Sequence, residues 1–323
     1  MGHHSPHEDR RGRRAAATLA TGALLLSGLA ACSRAPDPAL AVQSGLRHLD
    51  QVRAAEVTQP GPDRAGAIRI TYAAAVDDAA GLAALVSEVD AVAADRGYPS
   101  YRLTLVSAVT PESELTVGDG FGDRRGSRAV LRTWLRLTDT MLGAVSYAVG
   151  PDGETVRVRS GGGAAHDVAR ARRIGHGSDR TVWVFDSGPG TFTATGRVTG
   201  RDLRLFEAVQ RGAGAEGQPV WVPYWQLDRR SGHVRLDLTV DVAAARTPEQ
   251  LTVARHGRTL APLVRAAQVA LGATDLPAWL RLHATGAGPD DVFGSWASDR
   301  PAARGRDRLD RGWDAWLARH AAR

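Results

Sequence analysis

The chain has 323 residues, of which 43% are hydrophobic, and its 41 basic residues, all arginine, outnumber 35 acidic ones to give a formal charge of +6. This apolar content is enough for packed cores and argues against a disordered chain. A single cysteine excludes an internal disulfide, and no basic run interleaves with aromatic residues as in nucleic-acid-binding proteins.

The chain begins with the features of an export signal. Four arginines at positions 10–14 precede an apolar run over 15–29, and small residues then lead to Cys32. This order of charge, apolar run and small residues predicts a secretory signal peptide over residues 1–31. The apolar run is shorter than the roughly 20 residues that a membrane-spanning helix needs.

Leu29-Ala30-Ala31-Cys32 resembles the lipobox of bacterial lipoproteins, and the arginine-only, alanine-rich composition is similar to that of actinobacterial proteins. The resemblance implies that the Cys32 thiol is alkylated with diacylglycerol, that the chain is cut before Cys32 and that the new amino terminus is acylated. Two or three acyl chains hold a protein firmly on a membrane. We therefore expect a lipid-anchored protein on the extracytoplasmic face of the cell membrane. The arginine pairs leave the general secretory and twin-arginine export routes both open.

Residues 32–45 are rich in proline and alanine and predict a flexible tether. After the tether, alternating apolar residues and helical apolar stripes predict strand–helix–strand units, five in tandem. They span about 66–105, 115–149, 154–184, 192–226 and 234–283. A terminal helix is predicted over 307–320.

This element order predicts the α+β class. Tight turns make the joined strands antiparallel, and each crossover helix makes its two strands parallel, with a right-handed connection. Two units joined by a hairpin give the ferredoxin-like (split βαβ) arrangement. We therefore expect a first ferredoxin-like domain over 46–150, a second over 151–228, and a half-unit with the terminal helix over 229–323, with antiparallel or mixed sheets.

The loop from Gly118 to Arg125 is a candidate ion site. Its glycines let backbone amides approach an anion, and Arg124 and Arg125 add positive charge, while Asp119 and Asp123 offer oxygen ligands to a cation. The alternative is a surface loop without a ligand. The histidines are scattered, so their spacing predicts no metal site, and no motif predicts a cofactor.

Trp221, Tyr224 and Trp225 lie in one predicted strand, and Trp221 and Trp225 are expected on one face of it with Pro223. On an open sheet face, two indole rings side by side can stack on a sugar ring or a peptide aromatic. The alternative is that this face packs on a neighbouring domain.

No nucleophile elbow and no paired carboxylates in a catalytic context occur in the sequence. The leading hypothesis is a lipid-anchored extracytoplasmic binding or interaction module whose partners are cell-wall polymer or envelope proteins. One alternative is an envelope enzyme with its site near the Gly118–Arg125 loop. The other is a structural subunit of an envelope complex.

Overall fold

The computed structural model describes residues 37–98, 100–110, 112–213, 220–242, 250–285, 292–299 and 312–321. Asp37–Arg323 form one compact unit, called the body below. The predicted signal peptide, Cys32 and the first residues of the predicted tether lie outside the described residues.

The helices are α1 (Pro38–Arg47), α2 (Ala79–Asp95), α3 (Ser127–Thr140), α4 (Ala164–Ile174), α5 (Gly200–Ala213), α6 (Val253–Gly272) and α7 (Trp313–Ala321). The first six strands are β1 (Val52–Thr58), β2 (Gly66–Tyr72), β3 (Tyr101–Ser107), β4 (Glu114–Gly118), β5 (Ala144–Gly150) and β6 (Gly153–Arg159). The last six are β7 (Thr181–Asp186), β8 (Gly190–Thr195), β9 (Trp221–Arg229), β10 (Val234–Asp241), β11 (Ala278–Ala284) and β12 (Val292–Ala297).

All these strands belong to a single sheet in which they lie side by side in chain order, from β1 to β12. Strands joined by a turn, such as β5 and β6, pair antiparallel, and strands joined by a helix, such as β2 and β3, pair parallel. The alternation of antiparallel hairpins and parallel crossovers that the sequence predicts is therefore confirmed.

The prediction of tandem ferredoxin-like domains is wrong, although the α+β class holds. In a ferredoxin-like domain the strands of one unit lie between those of the other, so the sheet is complete with four strands. Here every new strand pairs with the strand before it. The expected domain boundaries fall between paired strands, where Tyr147 faces Val156 and Leu227 faces Leu236, so the sheet continues across both.

The helices form one layer on one face of the sheet. Helices α2 and α3 contact each other, as do α4 and α5, and α5 and α6. Helices α3 and α4 are joined by a hydrogen bond of 2.5 Å from the Arg170 guanidinium to the Thr140 carbonyl oxygen. The two parallel strands of each strand–helix–strand unit run opposite to those of the next unit, while all the helices lie on the same face. Right-handed and left-handed crossovers therefore alternate along the sheet, whereas the sequence analysis expected every crossover to be right-handed.

The face under the helices holds the core, because side chains along a strand alternate between the two faces. Leu103, Tyr147 and Val156 are almost fully buried there. Aromatic rings of successive elements then pack with centroids 5.6–6.0 Å apart. They are Trp183, Phe185, Phe192, Phe206 and Trp225.

A side chain of a helix also accepts a hydrogen bond from one backbone amide of each edge strand. The Gln43 side-chain oxygen in α1 accepts a hydrogen bond of 3.1 Å from the Val57 amide in β1. The Asp314 carboxylate in α7 accepts one of 2.6 Å from the Ser295 amide in β12. Such cover keeps an edge from pairing with another chain. Residues 38–45, expected as tether, thus belong to a helix that covers the sheet edge.

Candidate binding face

The face of the sheet opposite the helices, called the open face, is polar. Most of its side chains are half-buried or exposed. Threonine recurs on it because a β-branched side chain suits a strand while its hydroxyl remains hydrated. Its residues across β2–β10 include Arg69, Arg102, Thr104, Thr116, Ser146, Ala148, Thr155, Arg157, Thr191, Thr193, Tyr224, Gln226 and Thr239.

A groove of about 770 Å³ crosses the open face over β2–β6. Its floor is low because the side chains there are small: alanine, serine and threonine line it in the middle of β4, β5 and β6, and glycines line it at the ends of these strands. Arg69, Arg102 and Glu114 are the charged residues that line it. The volume lies within the range of small-molecule sites.

Charge in this groove is only partly neutralised. The Arg69 guanidinium pairs with the Glu114 carboxylate at 2.9 Å, and the Ser146 hydroxyl donates to the same carboxylate at 2.8 Å. Burial alone raises the pKa of Glu114. The hydrogen bonds from Arg69 and Ser146 and the positive charges of Arg69 and Arg159 outweigh burial, so the net shift of the Glu114 pKa is downward. Arg102 makes no ion pair within the part of the chain that the structure describes.

Trp221 and Tyr224 lie on the open face in β9 and are 66% and 42% exposed. They share a face because the pairing with β10 shifts register opposite residues 222 and 223, which leaves two residues facing one, as in a β-bulge. The Tyr224 hydroxyl lies 3.4 Å from the Thr191 hydroxyl. Thr239 stands opposite Tyr224, and Asp241 opposite Trp221. An exposed aromatic pair is thus framed by hydroxyl and carboxylate groups.

Trp225 does not share this surface, although the sequence periodicity predicts it beside Trp221. It is 3% exposed and packs against Phe206 on the helix side, with ring centroids 5.7 Å apart. A Cβ at Gly190 would overlap the Trp225 ring, so only glycine fits there. The bulge places the residues after it on the opposite face from the one that strict alternation predicts. Pro223 is the one residue in this strand whose type could have signalled the bulge.

The loop from Gly118 to Arg125 has its glycine amides occupied. The Asp90 carboxylate of α2 accepts hydrogen bonds of 3.2 Å from the amides of Gly120 and Gly122, and one from the Tyr101 hydroxyl. Burial, then the hydrogen bond to Asp90 and its charge, raise the pKa of Tyr101. An internal anion therefore fills the place that a phosphate or carboxylate would take.

The four charged side chains of that loop do not converge on one point. The Arg124 guanidinium donates to the Asp119 carbonyl oxygen at 2.9 Å, and Arg124, Arg125 and Asp123 are exposed. Asp119 and Asp123 border a cavity of about 590 Å³ that also contains Asp90. Among the described residues, no group of three or more acidic, histidine or cysteine side chains is arranged to hold a metal ion.

Sequence reasoning missed an ionic network on the open face of β9–β11. The Arg235 guanidinium lies 2.8 Å from the Asp237 carboxylate and 3.9 Å from that of Asp228. The other oxygen of Asp237 lies 3.3 Å from His283 Nε2. Asp228, Arg235 and Asp237 belong to one hairpin, whereas His283 is distant in sequence and reaches Asp237 through the parallel pairing of β10 with β11. No local spacing could have placed His283 in this network.

Within the described ranges, no helix combines the length and the apolar run that crossing a bilayer requires. No protein-family model, no curated protein and no solved structure matches the chain.

Proposed function

We propose that the protein is a lipid-anchored binding module of the cell envelope, held on the extracytoplasmic face of the membrane through Cys32, and that its open face binds a saccharide of cell-wall polymer. The exposure of Trp221 and Tyr224 on one polar sheet face carries the proposal. The lipobox resemblance of residues 29–32 supports the anchor.

The chemistry around the aromatic pair suits a sugar. An aromatic ring covers the C–H face of a pyranose, and flanking hydroxyl, amide and carboxylate groups exchange hydrogen bonds with the sugar hydroxyls. Thr191, Gln226 and Thr239 line the open face next to Tyr224, and Asp241 stands beside Trp221. These polar side chains lie on strands rather than mobile loops, so their positions are fixed before a ligand arrives.

Leaving a large aromatic residue in water forfeits the free energy that its burial would supply. Trp221 is the more exposed of the two, and its neighbour in the strand, Val222, is buried. Exposed aromatic residues that sit together on a surface mark contact sites more often than isolated ones do. A ligand that covers both rings would recover this free energy.

Isothermal titration of the body with soluble muropeptides and arabinogalactan fragments tests the saccharide ligand. We expect one of these classes to bind, and the double variant Trp221→Ala/Tyr224→Ala to weaken that binding about tenfold or more. Val109→Ala is the matched control, because Val109 is 68% exposed outside the open face and its removal leaves the aromatic pair intact.

The outcomes separate the parts of the proposal. Unchanged affinity in the double variant rejects the aromatic surface. Failure of every saccharide to bind, together with capture of a defined envelope protein, replaces the binding role with that of a complex subunit. Cys32→Ala in the full chain is expected to release the protein from the membrane fraction, and retention of this variant there would reject the anchor.

A further inference from the structure

Helices α3, α4, α5 and α6 carry an unusual concentration of positive charge. Each helix has three arginines. The four helices together contain twelve arginines and four acidic residues, so their formal net charge is +8. The whole chain carries +6, which leaves −2 on all its other residues. The basic character of the protein is therefore a property of this helix layer, whose arginines are defined here as the arginine face. They are Arg128, Arg132, Arg136, Arg170, Arg172, Arg173, Arg201, Arg204, Arg211, Arg255, Arg258 and Arg265.

The helical period turns these side chains away from the sheet. Arg128, Arg132 and Arg136 follow each other at four-residue spacing and form one exposed stripe along α3. The buried residues Leu131, Trp134 and Leu137 lie on the opposite side of the same helix. On α6 the exposed residues Arg255, Arg258 and Arg265 likewise lie opposite a buried row, which includes Leu260, Leu263, Val264 and Leu271.

Most of these charges have no partner within the part of the chain that the structure describes. Arg201 pairs with Asp275 at 2.5 Å, and Arg170 donates to the Thr140 carbonyl oxygen at 2.5 Å. The other ten arginines make no ion pair with a described residue. Like charges four residues apart, as on α3, oppose helix formation, and a negatively charged partner that binds this stripe relieves the repulsion.

Two exposed apolar side chains lie on or next to these helices. Val269 is 70% exposed and follows Arg265 by one helical turn, so it lies on the same outward stripe of α6. Leu142 is 59% exposed just after the end of α3. Aliphatic groups among arginines fit the boundary between lipid headgroups and acyl chains, whereas a soluble polyanion offers them no apolar contact. In their described residues, none of the four helices exposes a phenylalanine, tyrosine or tryptophan ring that could stack on a nucleic-acid base, and His166 on α4 is a single exposed imidazole.

We infer that the arginine face docks on an anionic phospholipid surface. The phosphate oxygens of the headgroups accept hydrogen bonds from the guanidinium groups, and Val269 enters the headgroup layer. This contact does not depend on the saccharide ligand or on acylation of Cys32. It would turn the open face away from the bilayer, because the helices and the open face lie on opposite sides of the sheet.

Co-sedimentation of the non-acylated body with vesicles tests the inference. We expect binding to vesicles that contain about 30% phosphatidylglycerol, little binding to pure phosphatidylcholine, and steep weakening with salt. At low ionic strength the affinity should fall about 100-fold in the triple variant Arg128→Gln/Arg132→Gln/Arg136→Gln, because each arginine contributes roughly fivefold and the three factors multiply. The triple variant should melt no lower than the parent protein, since it removes repulsion within α3.

Arg53→Gln/Arg64→Gln/Arg180→Gln is the control, because these exposed arginines lie outside the four helices and their replacement changes the net charge equally. The control should keep its affinity for anionic vesicles. Equal losses in both triple variants, or no loss in the α3 variant, would overturn the inference. So would tighter binding of soluble polyphosphate than of anionic vesicles, which would identify a polymer as the partner of this face.

Discussion

The two faces of the sheet differ in what their side chains do, although both are built from the same twelve strands. In β6, Val156 and Val158 face the helices and are fully buried, while Thr155 and Arg157 between them face outward and are exposed. In β9 the contrast falls on residues of the same type, because Trp225 is buried beneath α5 and Trp221 is exposed. One face therefore supplies the stability of the fold, and the other is free to vary for binding.

The largest expected effect comes from Trp225. Trp225→Ala removes a ring packed against Phe206 and should lower the free energy of unfolding by about 3–5 kcal/mol. Trp221→Ala removes a ring of the same type from the open face and should change it by less than about 0.5 kcal/mol. Chemical denaturation of both variants measures the difference. Equal losses would mean that Trp221 is buried in solution and that β9 has no bulge.

A smaller contrast is expected between two ion pairs of α5. Asp202 is buried and pairs with Arg229 at 2.8 Å, whereas Asp275 pairs with Arg201 at the surface. Asp202→Ala leaves Arg229 without its carboxylate and should cost about 3 kcal/mol. Asp275→Ala should cost less than about 1 kcal/mol. Thermal melts of the two variants compare them, and similar melting temperatures would contradict the burial of Asp202.

The smallest expected effect belongs to the open face itself. Burial raises the pKa of Glu114, but Arg69 and Ser146 outweigh burial and lower it, so ionised Glu114 stabilises the fold above pH 4.5, the ordinary pKa of a glutamate. This contribution is lost as the pH falls below that value and Glu114 becomes protonated. Glu114 is partly exposed, so Glu114→Gln should cost no more than about 1 kcal/mol at pH 7 and less at pH 3. Urea denaturation at both pH values measures this, and an equal cost at both would reject the pairing with Arg69.

Local signals in the sequence predicted the elements but not their assembly. At the start of α2 the Asp78 side chain accepts a hydrogen bond from the Gly81 amide, and Gly97 takes a positive φ just after its end, which are the helix signals that such residues supply in a sequence. Turn residues and crossover helices also gave the correct strand directions. Those same signals fit both a four-stranded domain with interleaved units and a single sheet to which each successive strand is added at the edge. The choice between them depends on long-range pairing, such as β5 with β6, which leaves no mark on any single segment.

The candidate surfaces were predictable to different degrees. Trp221, Tyr224 and Trp225 stood out as aromatic candidates, with Trp221 and Trp225 expected on one face. The bulge that places Trp221 with Tyr224 instead depends on the register with β10. The arginines of α3 are visible at helical spacing, yet their common surface exists only when the helices lie in one layer. Strand β12 was missed because its six residues include Gly294 and Ser295, which weaken the apolar alternation.

Cysteine labelling at adjacent residues of β6 tests the two-faced sheet most directly. The single cysteine of the chain, Cys32, lies outside the body, so Thr155→Cys and Val156→Cys each introduce one thiol there. We expect the thiol at position 155 to react with a soluble maleimide within about tenfold of the unfolded rate, and the thiol at position 156 to react more than about 1000-fold more slowly. Similar rates at both positions, whether fast or slow, would contradict a sheet with one covered and one open face.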